Sequence, residues 1–317
     1  MKLKDARIIF MGTSFFAKEI LKNLIESEIK INLVITQPDK PAGRKKELKS
    51  SEIKIFTQKN NLKLAQFPKL NENAISEIEK IKPDLILVVA YGLIIPPEII
   101  KQPPYECVNI HPSLLPKLRG SSPIQTALLE GFEKTGTTIM KIDSSIDSGE
   151  IIAQKTIQIK AQDIYPALEK NLLKITNKIL IKTLDDYLEK KITPKPQNHE
   201  QASFTKIIKK QDGQIDWTET SEKIYNKFRA FYDWPQIYTF WTNKGKTKKI
   251  TLTEIALTNQ TKKDKKIGEV YQENNQVLVN AKQGSLILEK IKLEGKNNLT
   301  IKDFLNGNPA LIGSILK

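Results

Sequence analysis

Two short stretches of the chain carry side chains that could assist acyl transfer. Asn109 and His111 are two positions apart, and Asp147 follows in a serine-rich stretch. When an amine attacks a formyl carbon, the carbonyl oxygen becomes an anion that an amide and an imidazole N–H can stabilise. A carboxylate can hold the imidazole in one tautomer and take up, through water, the proton that the amine loses. We therefore predict Asn109, His111 and Asp147 as a catalytic set for formyl transfer to an amine, with no Ser or Cys nucleophile.

These residues also have a structural interpretation, in which a packed histidine lies beside a turn capped by an aspartate. The residue types alone favour neither interpretation. The chain has two histidines, His111 and His199, so a site that uses imidazole has little choice. Asp143 and Asp147 flank one loop, but no His or Glu follows at ligand spacing. We therefore expect no metal site.

The elements around His111 indicate where it lies. It follows a short apolar run and precedes a proline, which predicts the carboxyl end of a strand, where open α/β sheets bind ligands. Asn109 then lies on the same face of that strand. Strands are predicted at 7–10, 32–36, 84–89, 107–110 and 137–142, and helices at 16–25, 51–59, 72–80 and 124–130. This alternation predicts an α/β fold with a mostly parallel sheet.

The rest of the chain has a different pattern. An amphipathic helix at 166–190 closes the first domain, and the polar, proline-containing residues 191–205 predict a linker. One helix and several short β-type runs follow, which predict a smaller, mainly β barrel of the oligonucleotide-binding (OB) kind. The helix is expected at 222–231 and the strands at 237–241, 249–255, 268–271, 276–280 and 285–291. The predicted domains are therefore 1–190 and 206–317.

Composition indicates a soluble globular protein, with 39% hydrophobic and 27% charged residues. No apolar run reaches the roughly 18 residues of a membrane span, and the N-terminus lacks a secretory or transit pattern. We expect a cytoplasmic protein without a membrane partner. A single cysteine, Cys107, excludes an internal disulfide framework.

The net charge of +15 is concentrated in the second part of the chain. Residues 1–200 carry 31 Lys and Arg against 24 Asp and Glu, whereas residues 201–317 carry 20 against 12. Such an excess is typical of proteins with a polyanionic partner, although lysine also serves solubility. Arg44, Lys45 and Lys46 lie in a loop where cations could clamp phosphates, with a solvated surface loop as the alternative. Gly12 alone does not make a dinucleotide fingerprint, so no NAD-linked function is expected.

One stretch of sequence carries a family resemblance. The residues Asn109-Ile-His-Pro-Ser-Leu-Leu-Pro116, with Arg119-Gly120 and Asp147-Ser-Gly149 after them, resemble the 10-formyltetrahydrofolate-dependent formyltransferases. The similarity runs from about residue 6 to residue 310 and includes Thr36–Arg44 and Arg229–Pro235. The basic loop and the second domain resemble those family members that act on methionyl initiator tRNA.

The resemblance implies a Rossmann-like formyltransferase domain, a C-terminal tRNA-binding barrel, 10-formyltetrahydrofolate as co-substrate, and a monomer that acts in translation initiation. It implies that Asn109, His111 and Asp147 are catalytic. Its folate-binding residues match Ser113, Leu114, Leu115, Pro116, Tyr91 and Gly92. It places Arg44, Lys45 and Lys46 near the tRNA acceptor end, and Phe16 near the methionyl side chain.

The chain departs from the family pattern at Phe15, where Asp is common, and at Lys45, Ser50 and Ser51 in and after the basic loop. Two alternative functions stay open. Folate-dependent formylation of another amine, such as a nucleotide-linked amino sugar, would keep the catalytic set without needing the basic loop or a basic barrel. A non-catalytic RNA-binding relative would not need the catalytic set.

Overall fold

The computed structural model describes residues 1–42, 47–258 and 260–317. Its contacts divide the chain into two compact units. The first unit comprises Met1–Pro123, Lys134–Gln158 and Glu169–Lys206, and the second comprises Ile124–Glu133, Ile159–Leu168 and Ile207–Lys317. The domain boundaries at residues 190 and 206 stay a prediction.

Strands and helices alternate through the first part of the chain. In order they are β1 (Ile8–Gly12), α1 (Phe15–Glu26), β2 (Ile31–Thr36), β3 (Lys40–Ala42), β4 (Glu47–Lys49), α2 (Glu52–Lys59), β5 (Leu64–Gln66), α3 (Glu72–Ile81), β6 (Leu85–Val89), α4 (Pro97–Ile100), β7 (Cys107–His111), α5 (Pro123–Leu129), β8 (Lys134–Lys141), β9 (Ile151–Gln158) and α6 (Tyr165–Leu188).

Seven of these strands form one sheet in the order β5-β2-β1-β6-β7-β8-β9. The first five are parallel, and β8 and β9 are antiparallel additions at one edge. The predicted mostly parallel α/β sheet is therefore confirmed, and all five predicted strands lie in it. β5 and β9 were not predicted, because β5 has three residues and β9 is largely exposed and polar.

Buried apolar strands hold the centre of this sheet. Every residue of β1 and β6 is buried, which explains why their sequences are continuous apolar runs rather than alternating ones. Gly12 ends β1, and a Cβ there would lie 2.7 Å from the Cβ of Ala17 in α1. Gly12 therefore permits the close packing of helix on strand. Ser14 caps α1 by accepting from the N–H of Ala17.

The second unit contains most of the remaining elements. In order these are α7 (Ser221–Ala230), β10 (Ile237–Asn243), β11 (Lys246–Thr258), β12 (Val270–Glu273), β13 (Gln276–Asn280), β14 (Ser285–Leu293), β15 (Asn298–Thr300) and α8 (Ile301–Gly307). The antiparallel sheet has the order β10-β11-β14-β13-β12, with β15 also paired to β14. Register shifts near Glu254 in β11 allow the sheet to curl. The result is an antiparallel half-barrel consistent with the predicted OB-like domain.

Residues 191–205, predicted as a linker from their composition, pair with the chain before them at two positions. Lys195 pairs with Ile151 at the start of β9, and Phe204 pairs with Arg119. Both partners belong to the first unit, and the segment is assigned to that unit up to Lys206. Its polar side chains are therefore available for bonds inside the first unit.

None of the helices among the described residues combines the length and apolar character that crossing a membrane requires.

A buried arginine fixes α7 within the second unit. Arg229 donates through Nε to the carbonyl of Asp163 at 2.8 Å and through Nη2 to the carbonyl of Lys160 at 2.9 Å. Its Nη1 donates to Oδ1 of Asn226 at 2.8 Å. Burial lowers the pKa of this guanidinium from its usual value, but an arginine remains charged at neutral pH. Three neutral acceptors therefore satisfy one buried charge.

We predict that Arg229→Ala lowers the free energy of unfolding by about 3 kcal/mol, because the buried carbonyl of Asp163 and the partly buried carbonyl of Lys160 lose their donor and a cavity opens. All three tryptophans, Trp217, Trp234 and Trp241, belong to the second unit, so their fluorescence during urea unfolding measures the change there. Lys223→Ala on the exposed face of α7 is the control. A loss below about 1 kcal/mol for Arg229→Ala would contradict this assignment.

Candidate active site

Asn109 and His111 project from one face of β7, at the carboxyl edge of the parallel strands. They occupy alternate positions of the strand, as the sequence predicted. β7 pairs in parallel with β6 and antiparallel with β8, so it is fixed on both sides. The Nδ2 of Asn109 donates to Oδ1 of Asp147 at 3.3 Å. The strand and the Asp147 loop therefore meet at this edge.

The imidazole of His111 is buried, with a hydrogen bond at Nε2 and a carboxylate near Nδ1. Its Nε2 lies 2.8 Å from the carbonyl oxygen of Leu118. Since a carbonyl only accepts, Nε2 carries a proton. Nδ1 lies 3.6 Å from Oδ2 of Asp147 and is the nitrogen that can gain or lose a proton without breaking the Leu118 bond. The sequence pattern assigned control of the tautomer to Asp147, whereas the structure assigns it to Leu118.

Asp147 lies in a tight loop after β8. Its backbone φ is +47°, in the left-handed region that non-glycine residues seldom adopt. Its Oδ2 accepts from the N–H of Gly120 at 2.7 Å, and its Oδ1 accepts from Asn109. Asp143 shapes the same loop by accepting from Ser145 N and Ser148 Oγ. Across the described residues, no group of three His, Cys, Asp or Glu could hold a metal ion.

The three residues predicted to be catalytic are therefore neighbours in space. An amide donor, a titratable imidazole nitrogen and a carboxylate converge at the end of β7. Such a set can stabilise an oxyanion and accept a proton.

The predicted folate-binding motif forms a turn held by β8 and β9. Ser113 makes three hydrogen bonds within the protein. Its hydroxyl donates to Lys117 O, its N–H donates to His111 O, and its carbonyl accepts from Thr138 Oγ1. The carbonyl of Leu115 accepts from Gln154 Nε2 at 2.8 Å. Gly136 in β8 has no Cβ, and one there would lie 2.5 Å from Leu114 Cδ2. Leu114, Leu115 and Pro116 therefore lie on a fixed turn shortly after β7, with Leu115 buried and the other two half-buried.

Tyr91 and Gly92 follow β6, beside the catalytic strand in the sheet. The Tyr91 ring is buried in the apolar cluster of the first unit, and burial raises its pKa to about 12. Its carbonyl accepts from Gln37 Nε2 at 2.7 Å and Thr13 Oγ1 at 2.9 Å. Gly92 is exposed with φ of +82°. The Tyr91 ring is therefore enclosed in the protein, whereas Gly92 is accessible at the surface of this loop.

The two adjacent phenylalanines at the start of α1 have different environments. Phe16, predicted near the methionyl side chain, is only 4% exposed and packs into the core of the first unit. Phe15 is 45% exposed and carries Lys18 Nζ at 4.4 Å from its ring centroid. The sequence analysis treated Phe15 only as a departure from the family pattern. The structure makes it the accessible aromatic side chain of the pair.

The predicted tRNA-binding residues Arg44, Lys45 and Lys46 lie outside the described residues. Their described flanks are ordered by polar contacts. β3 pairs with β4, and Lys54 Nζ lies 2.7 Å from Oδ2 of Asp39. Hydrogen bonds from Lys54 and then Gln66 hold the pKa of Asp39 below its usual value. Ser51 caps α2.

Sequence reasoning missed one side chain that contacts the Asp147 loop. Gln197 is buried, and its Nε2 donates to the carbonyls of Asp147 and Gly149. Its Oε1 accepts from the buried guanidinium of Arg119. No local pattern could reveal these bonds, because their partners lie about 50 to 80 positions earlier in the chain.

Comparisons with known proteins agree with this architecture in both halves of the chain. The formyl transferase domain matches residues 6–184, and the formyl transferase C-terminal domain matches residues 207–309. The chain therefore belongs to the formyl transferase family.

Relatives along nearly the whole chain bear a more specific name. The methionyl-tRNA formyltransferase of Caldicellulosiruptor saccharolyticus is 41% identical over 312 residues, which is 98% of this chain and 99% of that protein. The methionyl-tRNA formyltransferase of Thermodesulfovibrio yellowstonii is 40% identical over 95% of each chain. The corresponding protein of Bacillus cereus is 34% identical over 98% of each.

Solved structures share the fold at lower identity. HypX from Aquifex aeolicus, in complex with tetrahydrofolic acid, matches 95% of this chain and 47% of its own with a TM-score of 0.64 and 18% identity. WlaRD, a sugar 3N-formyl transferase, matches 92% of this chain and 99% of its own with a TM-score of 0.63 and 21% identity.

We predict that neutral His111 carries its proton on Nε2 and none on Nδ1, because the Leu118 carbonyl requires a donor. Nitrogen-15 NMR of labelled histidine distinguishes the two nitrogens. Only one other histidine is present, so a His199→Asn variant assigns the signals. A neutral His111 with its proton on Nδ1 would refute the geometry described above.

Proposed function

We propose that this protein transfers the formyl group of 10-formyltetrahydrofolate to the α-amino group of methionyl initiator tRNA. The observation that carries the proposal is the convergence of Asn109, His111 and Asp147 at the end of β7. This set lies in a chain that matches methionyl-tRNA formyltransferases over nearly its whole length.

The co-substrate supplies the formyl carbon, and the residues of this chain supply charge stabilisation and proton transfer. An α-amino group has a pKa of about 7.7–8.0, so a useful fraction is neutral and can attack without a strong base. As the new C–N bond forms, Asn109 Nδ2 and a protonated His111 Nδ1 donate to the oxygen that becomes negative. One such donor commonly contributes a factor of about 10²–10³ to kcat.

Proton removal falls to Asp147. The attacking nitrogen becomes positively charged, and Asp147 accepts its proton directly or through water. Cleavage of the bond to the folate nitrogen then regenerates the carbonyl, and that nitrogen takes the proton from Asp147, directly or through water, which restores the carboxylate. The Nε2–H bond to Leu118 keeps the His111 ring in place while Nδ1 interacts with the oxyanion.

The two halves of the chain divide the work. We assign folate binding and catalysis to residues 1–190 and tRNA binding to residues 206–317 with Arg44, Lys45 and Lys46. The proposed folate-binding residues are Tyr91, Gly92, Ser113, Leu114, Leu115 and Pro116. The C-terminal excess of 20 basic over 12 acidic residues supports a polyanionic partner. We propose a cytoplasmic monomer without a membrane partner.

The test compares formyl transfer from 10-formyltetrahydrofolate to methionyl initiator tRNA, methionyl elongator tRNA and a nucleotide-linked amino sugar. Strong preference for the initiator supports the proposal. Transfer to the amino sugar alone would assign the same chemistry to a small acceptor, a possibility that the fold of WlaRD keeps open. Binding of tRNA without transfer to any acceptor would identify a non-catalytic relative.

We predict that Asn109→Ala, His111→Ala and Asp147→Asn each lower kcat by about 10²- to 10³-fold, because each removes a group that acts on the developing charge or its proton. Steady-state kinetics with saturating substrates measures the loss, and urea unfolding confirms that the variants are folded. A His111→Ala variant with wild-type kcat would eliminate this mechanism.

We predict that Arg44→Ala raises KM for tRNA several-fold and leaves KM for the folate unchanged, because a phosphate contact affects only the tRNA. The salt dependence of tRNA binding should become shallower by about one unit in the log–log slope. Lys59→Ala removes the same charge from an exposed position of α2 and is the control. Equal effects of the two substitutions would show that Arg44 contributes only to the overall positive charge of the protein and makes no specific phosphate contact.

A further inference from the structure

The segment of residues 195–205 is attached to the first unit by its backbone. Lys195 and Ile151 exchange two N–H···O bonds of 2.7 and 2.9 Å. Arg119 N donates to Ser203 O at 2.8 Å, and Thr205 N donates to Arg119 O at 2.7 Å. The segment thus contacts the protein at two places. The first is next to the Asp147 loop, and the second is the chain that follows β7.

Gln197 holds the first of these places. Its Nε2 donates to the carbonyls of Asp147 at 2.9 Å and Gly149 at 2.8 Å. The left-handed backbone of Asp147 is unfavourable by itself and has to be fixed by its surroundings. A Cβ on Gly149 would lie 2.0 Å from the carbonyl oxygen of Lys141, so this loop is packed closely on another side as well. Gln197 therefore restrains the backbone from which the Asp147 carboxylate projects.

Ser203 holds the second place. Its Oγ accepts from the N–H of Leu118 at 2.9 Å. Leu118 has a left-handed φ of +62°, and its carbonyl accepts from His111 Nε2. Ser203 therefore fixes the residue that sets the His111 tautomer.

Arg119 bonds to both residues: to Ser203 through its backbone and to Gln197 through its side chain. Its side chain is buried, and its Nε and Nη2 donate to Gln197 Oε1 at 3.2 and 2.7 Å. The Nη2 also lies 3.1 Å from Nδ1 of His199. This guanidinium fixes the orientation of the Gln197 amide, because an oxygen must face the arginine and the NH₂ group must then face the two carbonyls.

We propose that Gln197 and Ser203 form a clasp that positions the catalytic set: Gln197 fixes Asp147 and Ser203 fixes His111 through Leu118. The clasp rests on the formyl transfer proposed above. The polar atoms of its two side chains bond to backbone groups and to Arg119, so they act on catalysis through the residues that they hold.

Two substitutions at Gln197 separate positioning from stability. Gln197→Ala removes both the acceptor for Arg119 and the donor for the carbonyls of Asp147 and Gly149. Gln197→Glu keeps an acceptor for Arg119, now as a charged pair, but has no donor for the carbonyls of Asp147 and Gly149. Both variants should lose kcat by about 10- to 100-fold with KM for each substrate nearly unchanged, since a misplacement of about 1 Å can cost this much. Gln197→Glu should nevertheless unfold at a higher urea concentration than Gln197→Ala, because its charged pair with Arg119 offsets part of the stability lost with the two carbonyl bonds.

Ser203→Ala tests the other half of the clasp and should lower kcat less, because the backbone bond between Arg119 and Ser203 remains. Gln201→Ala, which changes an exposed glutamine of the same segment, should leave kcat at the wild-type value. Nitrogen-15 NMR gives a readout that does not depend on turnover. The His111 ring signals should shift in the Gln197 and Ser203 variants and stay in place in Gln201→Ala.

The clasp is overturned if Gln197→Glu retains wild-type kcat, or if the loss of activity follows the loss of stability across all variants. Unmoved His111 signals in Gln197→Ala and Ser203→Ala would overturn it as well. If the wild type formylates no acceptor, the proposed function fails while the NMR comparison still decides whether the clasp holds the site.

Discussion

The carboxylate of Asp147 is the group on which the geometry of the site depends. It accepts from the Gly120 backbone and from the Asn109 amide, and it faces Nδ1 of His111. These partners come from the catalytic strand and from the chain that follows it. The left-handed backbone of Asp147 costs about 1–2 kcal/mol, so one negative charge is held in an unfavourable conformation by everything around it. Displacement of that loop would remove the carboxylate from both Asn109 and His111 at once.

Both units attach distant segments with a buried arginine that bonds to neutral acceptors. Arg119 bonds to Gln197 and approaches His199 in the first unit, and Arg229 bonds to the carbonyls of Lys160 and Asp163 in the second. A guanidinium suits this task because its five donors form a rigid fork that can satisfy several acceptors. Amides and carbonyls bring no second charge to be desolvated. Each arginine thereby fixes the path of a chain segment that has little apolar surface to bury.

The sequence predicted the features that depend on local pattern. Apolar runs and turn residues located the central strands and most helices, and alternate spacing placed Asn109 and His111 on one face. Long-range polar bonds were beyond such patterns, since Gln197 stands in a polar, proline-containing stretch that is equally typical of a free linker. The sequence also did not determine which of Phe15 and Phe16 is buried. That depends on how the helix is rotated against the sheet, which two adjacent aromatic residues do not specify. Their environments became distinct only through packing.

The attachment of residues 195–205 to the first unit separates two meanings of a domain. By family similarity the formyl transferase domain ends at residue 184, yet Gln197 and Ser203 supply bonds that support its proposed catalytic residues. Exchange of the C-terminal half by recombination would preserve the site only with a junction beyond these residues. A junction at the end of α6 would pair the catalytic strand with a foreign segment that evolved against another loop. The segment that must be inherited together to keep the site intact therefore extends beyond Ser203, whereas the segment recognised by sequence similarity ends at residue 184.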